Sequence, residues 1–140
     1  QYNTVKNYIK SVNPSKPVHI GETGWASSSD GFYGSEGSKA SDEYKQALYY
    51  NSLREWTNKE GISCFFFEAF DEPWKDSGNP LGSENHFGLF TVKGKAKFVL
   101  WKSVDENVFK NLKRNGKSIA KTLNGTTSEL MQTVLIPPKQ

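Results

Sequence analysis

With 140 residues the chain is long enough for one ordinary domain, and its apolar mass sits in rings: hydrophobic residues reach only 35% while aromatics reach 14%. No apolar run approaches the roughly 18 residues that a membrane-spanning helix requires. The net charge of +3 is unevenly spread, with nine basic residues between Thr91 and Lys121 against only Asp105 and Glu106; this stretch reads as a solvated face in preference to a nucleic-acid or acidic-glycan surface.

Residues 1–13 read as the end of a helix, because Val5, Tyr8, Ile9 and Val12 recur at helical spacing and Asn13-Pro14 stops the pattern. Gln1-Tyr2-Asn3 has neither the basic flank nor the apolar core of a signal peptide, so the chain is expected to begin after any targeting segment or within a longer protein. Val18-His19-Ile20-Gly21 then reads as a short strand that delivers Glu22, with Gly24 and Trp25 following. A long Ser- and Gly-rich loop occupies residues 26–38, with Phe32 and Tyr33 either lining a groove or pinning the loop.

A helix is expected from about Ser41 to Asn58, capped by Ser41 and closed by Gly61. Tyr44, Leu48, Tyr49, Leu53 and Trp56 form its apolar arc, and Glu43, Asn51, Arg54 and Asn58 lie opposite. The run from Ile62 to Phe70 is continuously apolar, as in a parallel strand covered on both faces, and it too ends in acids and an indole: Asp71-Glu72-Pro73-Trp74. Its single cysteine, Cys64, reads as packing. A last helix is expected near 103–113 from Val104, Val108 and Leu112, ended by Asn115-Gly116, and residues 117–140 are mixed. Helix, strand, helix, strand with acids at both strand ends is the layout of a parallel α/β fold whose site lies at the carboxyl edge.

Several chemistries lack their residues. His19, His86 and Cys64 are too few for a His/Cys zinc site, and there is no phosphate loop, dinucleotide fingerprint, serine elbow or EF-hand. No cofactor or metal is expected. What remains is a set of carboxylates, Glu22, Glu68, Asp71, Glu72 and Glu84, beside aromatic rings. Rings stack on sugar faces and carboxylates perform acid, base or nucleophilic work on a glycosidic bond. The same acids could equally cap helices or pair with lysines.

Three motifs narrow the choice. Gly21-Glu22-Thr23-Gly24-Trp25, the run from Phe66 through Glu68 and Asp71 to Lys75, and Glu84-Asn85-His86-Phe87-Gly88-Leu89-Phe90 together resemble glycoside hydrolase family 17, the β-1,3-glucanases (laminarinases) and related glucosyltransferases, in a form closer to microbial members than to plant ones. The resemblance implies a (β/α)8 TIM barrel and retaining hydrolysis by double displacement. Glu22 matches the family nucleophile at the end of strand seven. Glu72, Lys75 and Glu84 match charged residues around it, and Trp25, Phe70 and Trp74 fall where aromatic subsite walls would lie. His86 stands at a position that varies.

A barrel of this kind needs roughly 250 residues. The resemblance covers about residues 1–114, and implies only the C-terminal part: the end of helix six, strands seven and eight, and flanking helices. The family's acid/base glutamate belongs to strand four, outside this chain. Residues 1–116 are thus expected to form the barrel portion and 117–140 an extension. The expected partners are a β-glucan and the missing N-terminal half of the barrel, with no nucleic acid and no membrane, in a secreted, periplasmic or cell-surface location. A β-glucan transglycosylase and a non-catalytic glucan-binding fragment are the alternatives.

Overall fold

The computed structural model describes residues 1–30 and 37–136. Phe32 and Tyr33 lie outside the described residues. Helix α1 (Tyr2–Val12) ends where the Asn13 N–H reaches the Ile9 carbonyl and Pro14 removes the next donor. Tyr2 turns inward, its ring edge-on to Trp56 and its hydroxyl donating to the Val18 carbonyl at 3.0 Å. The rest of the apolar stripe, Val5, Tyr8 and Val12, is exposed.

Strand β1 (Ile20–Thr23) starts two residues later than the sequence pattern suggests. Its first ladder bond runs from the Ile20 N–H to the Ser63 carbonyl, while the preceding Val18 is taken up by Tyr2. Glu22 is therefore inside the strand, not beyond its tip. After the short helix α2 (Gly37–Ala40) comes α3 (Glu43–Glu60). Its cap is Asp42 and not Ser41: the Asp42 carboxylate accepts the Lys45 backbone N–H at 2.8 Å and also pairs with the Lys45 ammonium. Gly61, at φ 63°, closes the helix as expected.

The buried arc of α3 is rotated from the expected one. Gln46, Ala47 and Thr57 are buried and Leu48 is exposed. Glu43, assigned to the outer face by pattern, instead accepts the Phe98 N–H at 2.9 Å and the Thr122 hydroxyl at 2.7 Å; burial pushes its carboxyl above the ordinary value.

Strand β2 (Cys64–Phe66) pairs parallel with β1, so β1–α3–β2 is a parallel crossover unit. The register slips by one: Ile20 opposes Cys64 and Thr23 opposes Phe66, which sets Gly21 and Glu22 together against Phe65. Phe66 packs against Tyr49 and Tyr50, and the Thr23 hydroxyl meets the Tyr49 hydroxyl, so these residues face α3. Gly21, Glu22 and Phe65 fall on the other face and are exposed, Phe65 by 67%. The continuous apolar run suggested cover on both faces; among the described residues only the α3 face is covered.

Beyond Phe67 the chain changes partners. The Phe67 N–H still donates to Thr23, but the Glu68 carbonyl accepts from Leu89, Ala69 from Phe90, and the Asp71 N–H donates to Phe90. Bridges then run from Phe70 to Phe90, Phe90 to Ala96 and Ala96 to Lys121. These close approaches explain two glycines of the motifs. A Cβ on Gly24 would overlap the Phe67 carbonyl, and one on Gly88 would overlap the Asp71 nitrogen.

The last third departs most from expectation. A 3-10 turn at Phe98–Leu100 leads into α4 (Trp101–Asp105), which is capped by Glu106 and followed by Asn107 at φ 60°, well short of residue 113. Val108 and Leu112 are exposed and form no helix face. Asn115-Gly116 ends no helix; both residues take positive φ in the turn of a hairpin between β3 (Lys113–Arg114) and β4 (Lys117–Ser118). Helix α5 (Thr127–Thr133) then brings Leu130 into full burial. The Leu135 N–H and carbonyl bond to Asp42 and Lys45 at the start of α3. Residues 117–136 therefore make contacts back to the start of α3. Around them the core is aromatic: Tyr44 stacks on Phe98, whose ring meets Trp101 edge-on.

Candidate active site

The chemistry-bearing residues gather at the carboxyl ends of β1 and β2, in three groups. On β1, Glu22 stands exposed on the face away from α3, placed there by the one-residue slip. At the end of β2, Lys75 lies 3.3 Å from Glu72 and 3.8 Å from Glu68, with its ammonium 3.8 Å above the Phe67 ring. Lys75 thus shares two carboxylates and, among the described residues, makes no ion pair with Glu84. Trp74, between Glu72 and Lys75, is 63% exposed, so its indole is an open surface.

The third group surrounds a cavity of about 380 Å³ lined by Trp25, Ala40, Ser41, Glu84 and Phe87 among others. Trp25 is fixed there by its indole N–H, which donates to the Ala40 carbonyl at 2.9 Å, and by packing against Tyr49. Glu84 is set on a 3-10 turn, Ser83–Asn85. Asn85 anchors that turn: its amide exchanges hydrogen bonds with both backbone groups of Asp76 and also reaches the Asn79 carbonyl.

Phe70 meets other side chains on its ring. The Phe90 ring stacks on it at 5.2 Å and the Arg114 guanidinium sits 4.2 Å over it. Its ring is engaged by these protein contacts and is half-buried. His86 is likewise structural, its ring bonded to the Pro80 carbonyl and its own carbonyl accepting from Ser27.

Of the supports of this rim, sequence reasoning named only Asp71, and only as a candidate acid. Lys97 is almost wholly buried and donates to Asp71 and Ser27, both at 2.6 Å, and to the His86 carbonyl. Asp71 in turn accepts the Gly88 N–H. Burial opposes charge on both members of this pair, pushing the Asp71 carboxyl up and the Lys97 amine down, while their contact works against each shift. Gln46 spans from α3 to the Trp25, Phe87 and Gly88 carbonyls. Of the other supports, Gln46 left a trace in the pattern: it lies three and seven residues before Tyr49 and Leu53, a polar residue on an apolar arc.

Among the described residues Glu68 is the most perturbed acid. One of its oxygens is buried without a hydrogen-bond partner in the described structure, and burial, reinforced by Glu72 alongside, pushes its carboxyl up to about 7. Paired acids of unequal environment are what general acid–base chemistry requires.

Strand-end acids beside open indoles on one rim of a parallel α/β unit have the layout of a glycoside hydrolase. The chain belongs to the BtgE/BtgC glycoside hydrolase domain family, whose sequence profile matches residues 1–88. It is similar to an endo-laminarinase from Formosa Hel1_33_131 of known crystal structure, with 61% identity and a TM-score of 0.91 over 99% of this chain. Two glucan 1,3-beta-glucosidases are also similar: one from Arthroderma benhamiae, 39% identical over 89 residues, and one from Saccharomyces cerevisiae, 34% identical over 84 residues. Each of these matches covers 58% of this chain. The chain spans only 27% and 25% of those curated relatives, and 36% of the laminarinase.

Proposed function

We propose that this chain is the nucleophile-bearing, C-terminal part of a retaining β-1,3-glucan hydrolase of glycoside hydrolase family 17, built as strands seven and eight of a (β/α)8 barrel. The observation that carries the reading is the placement of Glu22: a strand-end carboxylate on the uncovered face of the sheet, on the rim that also bears Trp74, Lys75 and Glu72. The 61% identity to an endo-laminarinase along almost the whole chain supports the same substrate class.

In this reading a Glu22 oxygen attacks the anomeric carbon of a glucosyl unit as the O3 of the next sugar departs. A carboxylic acid from the rest of the barrel protonates that oxygen. A water molecule then gives its proton to the same group and cleaves the glycosyl ester, restoring Glu22 and retaining the anomeric configuration. Trp74 stacks on a sugar face, and Trp25 with Glu84 line a neighbouring pocket. Glu72 and Lys75 hydrogen-bond to hydroxyls. The rest of the barrel covers the open sheet face and the stripe of α1. A polymeric glucan is met outside the cytoplasm, and we place the enzyme there, secreted, periplasmic or at the cell surface.

The test is Glu22→Gln in the intact enzyme. Laminarin hydrolysis is expected to fall by about 10⁴-fold or more, the scale of loss when a catalytic nucleophile is removed, with laminari-oligosaccharide binding retained. Undiminished hydrolysis sinks the assignment. Binding of laminarin with no turnover by the unmutated enzyme identifies a glucan-binding protein instead, and longer products at high acceptor concentration identify a transglycosylase.

A further inference from the structure

We propose that Glu68 is a positioning residue whose carboxyl shares one proton with Glu72, and that this shared proton holds the turn carrying Trp74 in its glucan-binding geometry. The proposal rests on the glucan-site reading above and extends it to a residue that reading leaves without a role.

Charge balance is the first ground. Among the described residues two carboxylates, Glu68 and Glu72, face a single ammonium, that of Lys75. The next cation, Lys97, is committed to Asp71 at 2.6 Å, and His86 is bonded to the Pro80 carbonyl. With both acids ionised the cluster carries one uncompensated negative charge, in a place where the Glu68 side chain is only 12% exposed. A proton removes that excess. It also supplies a donor to a pair whose Glu68 Oε1 is buried without a partner, so that Glu68 and Glu72 could hydrogen-bond as two bare carboxylates cannot. The aspartic-protease dyad follows the same rule, like charges in contact sharing one proton.

The second ground is mechanical. The backbone of Glu68 is fixed, because its carbonyl accepts the Leu89 N–H at 2.9 Å. Glu72 and Lys75 belong to a short turn whose own closing bond is the Lys75 N–H to the Glu72 carbonyl at 3.0 Å; it is held at its ends by the Asp71 N–H on Phe90 and by Asn85 on both backbone groups of Asp76, and Trp74 rides inside it. If the pair loses its proton, the turn is the side that moves, and the open indole moves with it. The elevation of the Glu68 carboxyl to about 7 places the change at neutral pH. The sign follows: the proton is held below that pH and lost above it, so glucan binding weakens as pH rises. One unit above the midpoint about a tenth of the molecules retain the proton, and apparent affinity falls about tenfold if only that form binds.

The experiment uses the intact enzyme carrying Glu22→Gln to stop turnover. Laminarihexaose binding is measured by calorimetry at pH 6, 7 and 8, with and without Glu68→Gln. The dissociation constant is expected to rise about tenfold from pH 6 to pH 8 with Glu68 present. It is expected to stay nearly flat with E68Q, whose amide is neutral throughout that range. An equal pH slope in both overturns the proposal. In the active enzyme the same contrast is expected in KM and not in kcat. Carbon-13 titration of the Glu68 carboxyl gives a second judgement that needs no substitution there: a midpoint near 7 supports the shared proton, and an ordinary midpoint of about 4.3 overturns it. Failure to bind laminarihexaose at any pH counts against the glucan reading, while the carboxyl titration still decides the proton pair.

Discussion

Lys97 shows how a single residue can hold a rim together. Its ammonium, nearly free of solvent, joins the segment after β1 through Ser27, the end of β2 through Asp71, and the following loop through the His86 carbonyl. Removing one partner of such a buried pair leaves the other charge uncompensated, at a cost of about 3–5 kcal/mol, whereas an apolar pair of similar volume is often neutral. Lys97→Met is therefore expected to destabilise the protein by about that amount in urea unfolding. The double change Lys97→Met with Asp71→Leu is expected to recover most of the loss. Equal losses in the single and double variants would show that Lys97 acts through packing alone. Sequence reading passed over this residue because an isolated lysine in a basic stretch carries no periodic signal; its burial arises only when three distant loops converge on it.

At the scale of elements, α3 is the post around which both strands and the C-terminal tail are arranged. Its start is over-determined. Asp42 accepts the Lys45 N–H, pairs with the Lys45 side chain and accepts the Leu135 N–H from the tail. Asp42→Ala is expected to cost about 1–2 kcal/mol, the usual worth of a cap at its upper end, and Ser41→Ala less than about 0.5 kcal/mol. Thermal melts of the two variants check the assignment; the reverse order would restore Ser41 as the cap. The existence and order of α1, β1, α3 and β2 were legible from periodicity and stop signals. Boundaries were less so, since adjacent Ser41 and Asp42 are both good caps and only the position of residue 45 selects between them. The helix expected at 103–113 failed for a related reason. Val104, Val108 and Leu112 have helical spacing, but Asn107 and Asn115 adopt positive φ and turn the chain twice.

For the molecule as a whole, the uncovered surface is the dominant fact. Among the described residues β1 and β2 form a two-stranded parallel sheet, and a parallel sheet is ordinarily covered on both faces. Here one face presents Phe65, and the nearby helix α1 presents Val5, Tyr8 and Val12. The chain spans about a third of the laminarinase it is similar to, and in the barrel reading proposed above further strands would cover such a face. The 140-residue chain alone is expected to self-associate and to bind a hydrophobic dye, because an open edge and an apolar face recruit partners. Sedimentation and dye fluorescence check this. Phe65→Lys is expected to reduce both effects in the isolated chain, and, if the proposed barrel covers this position, to destabilise the longer protein. A monomeric, dye-silent chain would mean that the face is satisfied without a partner.

The sequence by itself determined the parallel α/β plan and the acids and indoles at its strand ends. Strand ends, caps and breakers are local, and a motif such as Gly21–Trp25 keeps its residues within one turn of chain. Tertiary structure decided which of those residues remain open to a ligand. Phe70 and Trp74 look alike in sequence, yet Phe90 and Arg114 engage one and nothing described engages the other. Glu68 and Glu72 are both strand-end glutamates, but burial and a single shared lysine separate their roles. Solvent access and charge balance are sums over neighbours brought from far along the chain, and only the folded arrangement fixes those sums.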